Sequence, residues 1–287
     1  MLNCFPPANP RRSAFHTLLG ACGIVAVLSG CAQPAAPPAA APAKAAAPVI
    51  EPKAVAILDA ACQTLAAARS MSFTALNTYE RAARNGQPLF FATRNQVTMR
   101  RPDGLRVITP GDGIPDEFYF DGKTITAFVP MHDTVARADA PPTIDAMLDA
   151  AWHRAAIYFP FADVIVADPC ADLRGKLTSA FYIGQSKVTG DTTTDMVAIA
   201  NSEIAAQFWI GTTDHLPRLV RVIYPKEPAR ALYQTEYSNW RLNPPVSPGM
   251  FASARAAKAK PMPFATPGPE TVRPTPATMP ATAPAPR

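Results

Sequence analysis

Proline decides how much of this chain can fold. The sequence holds 33 prolines, and they crowd with alanine into two stretches, residues 31–53 and 246–287. From Ala32 to Lys53 the chain reads Gln-Pro-Ala-Ala-Pro-Pro and continues in that style, without hydrophobic periodicity and almost without charge. Sequence of this kind buries too little surface to offset the entropy of ordering and stays extended. At about 3 Å per residue it makes a tether of up to roughly 65 Å. Residues 246–287 are Pro, Ala and Thr with scattered basic side chains, a composition that predicts a disordered basic tail. The folding unit is therefore expected over residues 54–245. That is one domain's worth of chain, ample for a core, and it shows no internal repeat.

The first 30 residues have the layout of an export signal. Arg11 and Arg12 precede an apolar run from Ala14 to Val27, and the stretch Val27-Leu28-Ser29-Gly30-Cys31 closes it with small residues directly before a cysteine. This is a lipobox, and the segment resembles the leaders of bacterial lipoproteins. The small Ser29 and Gly30 let a peptidase reach the bond before Cys31, whose thiol takes a diacylglycerol and becomes the new N-terminus. The expectation is a chain lipidated on Cys31, anchored in the cell envelope and facing the periplasm. Ala32, rather than an aspartate, follows the cysteine, and by resemblance to enterobacterial lipoproteins this favours the outer membrane. The alternative is a plain secretory leader with an incidental cysteine.

Export changes how charge and cysteine are read. Of the formal charge of +5, two units (Arg11, Arg12) lie in the leader. Four more lie in the tail, where Arg255, Lys258, Lys260, Arg273 and Arg287 face Glu270 alone, and residues 31–245 are left at −1. A nucleic-acid partner would need a basic patch on the folded domain, so none is expected. Cys4 and Cys22 belong to the leader and Cys31 to the anchor. Cys62 and Cys170 remain, and two thiols in an oxidising compartment suggest one disulfide, with a pair of buried free thiols as the alternative.

Periodicity then sorts the domain. Val55, Leu58, Ala61, Cys62 and Leu65 form the apolar stripe of a first helix. Met71 to Glu80 alternates and leads to an Asn85-Gly86 turn; Leu89 to Arg100 runs into Pro102-Asp103-Gly104 and returns through Leu105 to Thr109. Next comes a hairpin, Glu117 to Phe120 and Lys123 to Val129, in which a two-residue Asp121-Gly122 turn pairs Phe120 with Lys123 and Phe118 with Ile125. Bulk stands on both of its faces: Phe118, Ile125 and Val129 on one, Tyr119 and Phe128 on the other. The same loading recurs at Phe208-Trp209-Ile210 and from Leu219 to Tyr224, so the second face needs a cover.

A cover follows the hairpin. Pro141-Pro142-Thr143 starts a helix with Ile144, Met147, Leu148, Ala151, Trp152 and Ala155 on one face and Asp145, Asp149 and His153 opposite. The aromatic turn Ile157-Tyr158-Phe159-Pro160-Phe161 leads into Ala162 to Ala167. Further strands run from Thr178 to Ile199, Gln207 to Ile210, Arg218 to Tyr224 and Tyr233 to Leu242. Strands, a helical insertion and strands again make the fold class α+β with a largely antiparallel sheet.

Six segments in order resemble the domain of unknown function (DUF) 2092 family of predicted periplasmic proteins. They are Val97 to Arg106, Phe118 to Phe128, Pro141 to Asp145, Gln207 to Ile210, Leu216-Pro217-Arg218 and Asn239-Trp240. The resemblance covers about Val55 to Leu242. That family in turn resembles the lipoprotein localisation factors, the LolA/LolB-like fold. It implies a large, strongly curved antiparallel sheet, an open half-barrel whose concave face is covered by helices and holds acyl chains. It brings no catalytic residues. An anchored version looks more like the receiving lipoprotein than like the soluble carrier.

Enzyme signatures are thin. There is no Gly-x-Ser-x-Gly elbow, His-Glu-x-x-His, Gly-rich phosphate loop or Cys-x-x-Cys. His132, His153 and His215 lack ligand spacing, so no metal or other cofactor is expected. Met131-His132-Asp133 reads as a surface turn, and Asp149 with His153 as an exposed pair one helical turn apart. The expected function is non-catalytic binding of acyl chains or another apolar ligand, with Met147, Leu148, Trp152, Phe159 and Phe161 as groove candidates. A core-packing role for the same stripe is the plainer reading. The alternatives in function are an envelope interaction or sensor module that binds a partner's segment, and, least supported, an unrecognised hydrolase.

Overall fold

A computed structural model of the chain describes residues 49–110, 114–171, 173, 175–226 and 232–266. The leader, the lipobox with Cys31, the tether up to residue 48 and the tail beyond residue 266 lie outside the described residues.

The chain opens with α1 (Pro52–Ala67), whose Pro52 stands in the first turn, where no backbone N–H is required. Ala54, Leu58, Ala61 and Leu65, three and four residues apart, are its buried face. There follow β1 (Ser70–Ala82), β2 (Pro88–Arg100), β3 (Gly104–Thr109), β4 (Asp116–Phe120), β5 (Thr124–Val129) and β6 (Thr134–Asp139), then α2 (Ile144–Ala155) and α3 (Ala162–Ile165). The second run is β7 (Ser179–Ser186), β8 (Thr194–Ala200), β9 (Ala205–Gly211), β10 (Pro217–Ile223) and β11 (Leu232–Leu242), with β12 (Lys260–Met262) last. All twelve strands form one sheet in the order β12-β6-β5-β4-β3-β2-β1-β11-β10-β9-β8-β7. The pairings are antiparallel except that of β12 with β6. The sheet is open, and β1 joins the two meanders by pairing with β2 on one side and β11 on the other.

The main core lies between the sheet and α2–α3. Met71, Phe73, Val97, Met99, Leu105, Val107, Phe118, Phe120 and Ile125 point to this face. Ile144, Met147, Leu148, Ala151, Phe159, Phe161 and Ile165 pack down on them. The expected α+β class, with helices covering one face of a large antiparallel sheet, is the observed one.

Several expectations need correction. The tail does not leave the fold at residue 246. Pro248–Phe251 and Ala256–Lys258 form 3-10 turns and Lys260–Met262 is the edge strand β12. Phe251, Ala256 and Ala259 are buried, and the last two pack with Phe128 and Val135 on the sheet face opposite the helices. The bulk on that second face therefore finds its cover in a Pro/Ala segment that composition assigned to disorder. A few well-placed apolar contacts and a parallel ladder outweigh a weak average hydrophobicity.

The β4–β5 register also differs, since Phe120 pairs with Ile125 and Phe118 with Ala127. Asp121 accepts hydrogen bonds from the Lys123 and Thr124 amides, so the side chain builds a longer turn than Asp-Gly alone implies. A shift of two residues keeps every side chain on its face. The stretch from Thr178 to Ile199 holds β7 and most of β8, and β6 had no separate signal in the sequence.

Candidate functional site

Local chemistry places the helical cover. Thr143 caps α2 by accepting from the Ala146 amide at 3.3 Å, and Ala156 ends it in the left-handed region at φ 53°. The Ile144 amide donates to the Pro102 carbonyl, which ties the start of α2 to the β2–β3 turn. Arg101 is the second fastener. Its guanidinium donates to the carbonyls of Ala68, Ile165 and Leu65 at 3.1, 2.9 and 3.3 Å, gathering the ends of α1 and α3 onto the sheet. Burial lowers the Arg101 pKa, and the Asp145 carboxylate opposes that shift. Cys62 and Cys170 form a disulfide with Cα atoms 5.8 Å apart, which holds α1 to the segment after α3.

Four of the five groove candidates fill the core under this cover. Met147 and Phe161 are wholly buried, and Leu148 and Phe159 nearly so. Phe161 meets Phe73 edge-on at 5.8 Å and Phe159 meets Phe118 at 4.9 Å. Trp152 stands apart from them: it is half-buried at the rim of α2 and packs against Tyr158 at 6.3 Å. The stripe thus plugs the covered part of the sheet, and only its tryptophan borders solvent.

The open part of the same face lies further along the strands, and the ladder registers define it. Beyond Phe73 and Ala75, β1 presents Asn77 and then Tyr79; β2 presents Asn95, Thr93 and Phe91; β11 presents Tyr237, Thr235 and Tyr233. The first step is a buried polar belt. Thr235 donates to Asn77 Oδ1 at 2.8 Å and Thr109 donates to Asn95 Oδ1 at 3.1 Å, so the belt satisfies itself. The second step is an aromatic strip. Tyr79 stacks on Phe91 at 5.6 Å, Tyr233 meets Tyr224 at 5.4 Å, and Arg81 donates to the Tyr233 hydroxyl at 2.7 Å. Val220, Val222 and Phe208 continue it toward β9, all half-buried. α1 packs over β7 and β8 at the far side. The result is an apolar, half-buried strip on the helix-covered face, beyond the polar belt. Period-two alternation from Met71 already put Tyr79 on the core face; the partners Val222 and Tyr233 were not legible because strand order was not.

Among the described residues the three histidines stand apart from one another. His132 lies in the β5–β6 turn, His153 on α2 and His215 in the β9–β10 loop. His153 faces Asp149 at 3.2 Å on the exposed side of α2. Among the described residues no three His, Cys, Asp or Glu side chains come together as a metal site would require. Two tyrosine hydroxyls are biased to stay protonated: Tyr119 by burial and its bond to Glu117, and Tyr237, the more strongly, by burial and the Asp163 carboxylate. Several resemblance segments supply structural joints instead. Trp240 donates to the Pro217 carbonyl at 2.9 Å and stacks between Phe73 and Tyr237, and Arg218 pairs with Asp214 at 2.6 Å.

The architecture is an open antiparallel sheet with a helical cover and an aromatic strip on the covered face. Residues 54–265 match the model of the DUF2092 family, described as predicted periplasmic proteins, and the chain belongs to that family. Its matched span includes the C-terminal segment that packs on β3–β6. No curated protein matches the chain. Similar solved structures include an uncharacterized conserved protein from Thermus thermophilus, at 10% identity over 74% of this chain and 99% of that one with a TM-score of 0.41. The MucA/MucB complex of Pseudomonas aeruginosa is similar at 16% identity over 71% of this chain and 62% of that one, TM-score 0.41. A LolA superfamily protein, NE2245 from Nitrosomonas europaea, is similar at 10% identity over 70% and 97%, TM-score 0.31.

Proposed function

We propose that this protein is a membrane-anchored, non-catalytic lipoprotein of the periplasm that binds an acyl chain or another elongated apolar ligand along this strip. One observation carries the reading. Tyr79, Tyr233, Val222 and Val220 lie on the helix-covered face yet stay half-buried, beside the buried core of Phe73, Val97 and Tyr237. A strip of that kind gains about 25 cal/mol for each Å² of apolar surface taken from water, without any reacting group. The polar belt ends the strip, so an apolar chain would lie across the strands instead of penetrating under α2. Trp152 and Tyr158 form the rim on the α2 side. The lipobox supplies the anchor, with Cys31 as the lipidated residue and the outer membrane as its destination.

A fluorescent fatty acid titrated into the purified full chain tests this. Val222→Asp puts a charge in the strip, where an apolar ligand cannot solvate it, and should weaken binding by roughly tenfold or more, about 1.4 kcal/mol. Trp152→Asp should weaken it less and leave thermal unfolding nearly unchanged. Wild-type protein that binds no apolar probe ends the carrier reading.

A further inference from the structure

We infer that the tip of the β1–β2 hairpin is a second membrane contact, seated in the interface of an anionic bilayer. The ladder registers place the tip at one end of the sheet. β1 pairs with β11 only as far as Tyr79↔Tyr233, and β2 pairs with β3 only from Gln96 onward. Among the described residues the last three pairs of the hairpin, Glu80↔Phe90, Arg81↔Leu89 and Ala82↔Pro88, have no ladder partner outside the hairpin. At about 3.4 Å per residue they add roughly 10 Å to the hairpin, with the turn at residues 83–87 beyond. Phe90 is 64% exposed on one face, and Leu89 and Phe91 are 39% and 44% exposed on the other. A strand added to the β2 edge would cover that edge and leave apolar side chains wet on both faces. A lipid interface surrounds the blade and takes both.

Charge points to the same occupant. Residues 31–245 sum to −1, yet between Asn77 and Asn95 three arginines, Arg81, Arg84 and Arg94, stand against Glu80 alone. Aromatic rings flanked by arginine suit the headgroup boundary, with the rings in the apolar layer and the guanidinium groups among phosphates.

The place where the chain enters the fold agrees. Paired residues Phe91, Tyr79, Tyr233, Val222, Ala206, Ile199 and Ala180 make one row across seven strands. Val49 and Ile50 join that row, since the Ala180 amide donates to the Val49 carbonyl and Ile50 bridges Ala180 in parallel. The tether therefore reaches the domain at the end of the sheet where the hairpin tip lies. An anchor at Cys31 would hold that end toward the bilayer, but the inference stands on the hairpin itself and not on the anchor.

The test uses the full chain with vesicles of phosphatidylethanolamine and phosphatidylglycerol whose acyl chains carry bromine near the glycerol end. Phe90→Trp places a reporter at the tip, and Val188→Trp places one at an exposed site (92%) past the far end of β7. Emission is read as the difference from wild type. Flotation with the vesicles reports the anchor; quenching reports the hairpin. Roughly half of the emission added by Phe90→Trp should be lost, as for a ring about 5–10 Å into the interface, and that added by Val188→Trp should be kept. Arg84→Glu with Arg94→Glu should reduce the loss at least twofold. Equal quenching of both reporters, or none of either, overturns the inference. So does a photoreactive group at position 90 that yields a discrete protein adduct in cells while the vesicles leave Phe90→Trp unquenched.

Discussion

Replacing Phe251 with alanine separates a C-terminal segment that belongs to the fold from one that merely follows it. Phe251 is 2% exposed, lies over Gly104 of β3, and has the Arg100 guanidinium 5.1 Å from its ring centre. Loss of a buried phenylalanine costs about 3–5 kcal/mol, and the cation above the ring adds up to about 1 kcal/mol. For a domain of this size each kcal/mol lowers Tm by about 2–4 °C, so Phe251→Ala should melt about 6–24 °C early. The reciprocal change probes the same contact. A Cβ on Gly104 would stand 2.6 Å from Phe251 Cε2, and overpacking of that kind costs about 1–3 kcal/mol. In the double variant the new methyl enters the space the ring vacates, so the two changes together should cost less than their sum. Urea unfolding of the four proteins measures all three quantities. A loss for Phe251→Ala within about 0.5 kcal/mol, the range of ordinary surface substitutions, would show that residues 246–266 are a free tail after all.

Three further outcomes are expected. Cys62→Ser opens a loop of 108 residues and should destabilise the domain by up to about 4–5 kcal/mol in the chain-entropy account; peptide mapping without reductant should find the Cys62–Cys170 bridge in native-source protein. Tyr119 and Tyr237 have folded pKa values above the ordinary 10.0. Their contribution to stability is complete below pH 10 and is lost as pH rises through the folded values, because only the unfolded chain ionises them readily. Tyr237→Phe should flatten that alkaline decline, and ultraviolet titration that finds every tyrosine ionising near 10 would contradict the burial argument. Cys31→Ser should abolish incorporation of a labelled fatty acid, whereas label retained in the variant removes the lipobox reading.

Much of the architecture was legible because it is local. The 3.6-residue spacing of Leu58, Ala61 and Leu65, the alternation from Met71, and the Pro141-Pro142-Thr143 start of α2 are written in neighbouring residues. The disulfide was inferred from compartment and count, without geometry. What needed the tertiary structure is whatever depends on which distant segments meet. Met147 and Phe161 look alike as lining or as filling until Phe73 and Phe118 are seen against them. Tyr79, Val222 and Tyr233 become one strip only when β1 closes on β11 across more than 150 residues. Phe251 is an isolated phenylalanine in a Pro/Ala segment until Gly104 leaves room for its ring. Periodicity records which way a side chain points, while burial depends on what the rest of the chain brings to it.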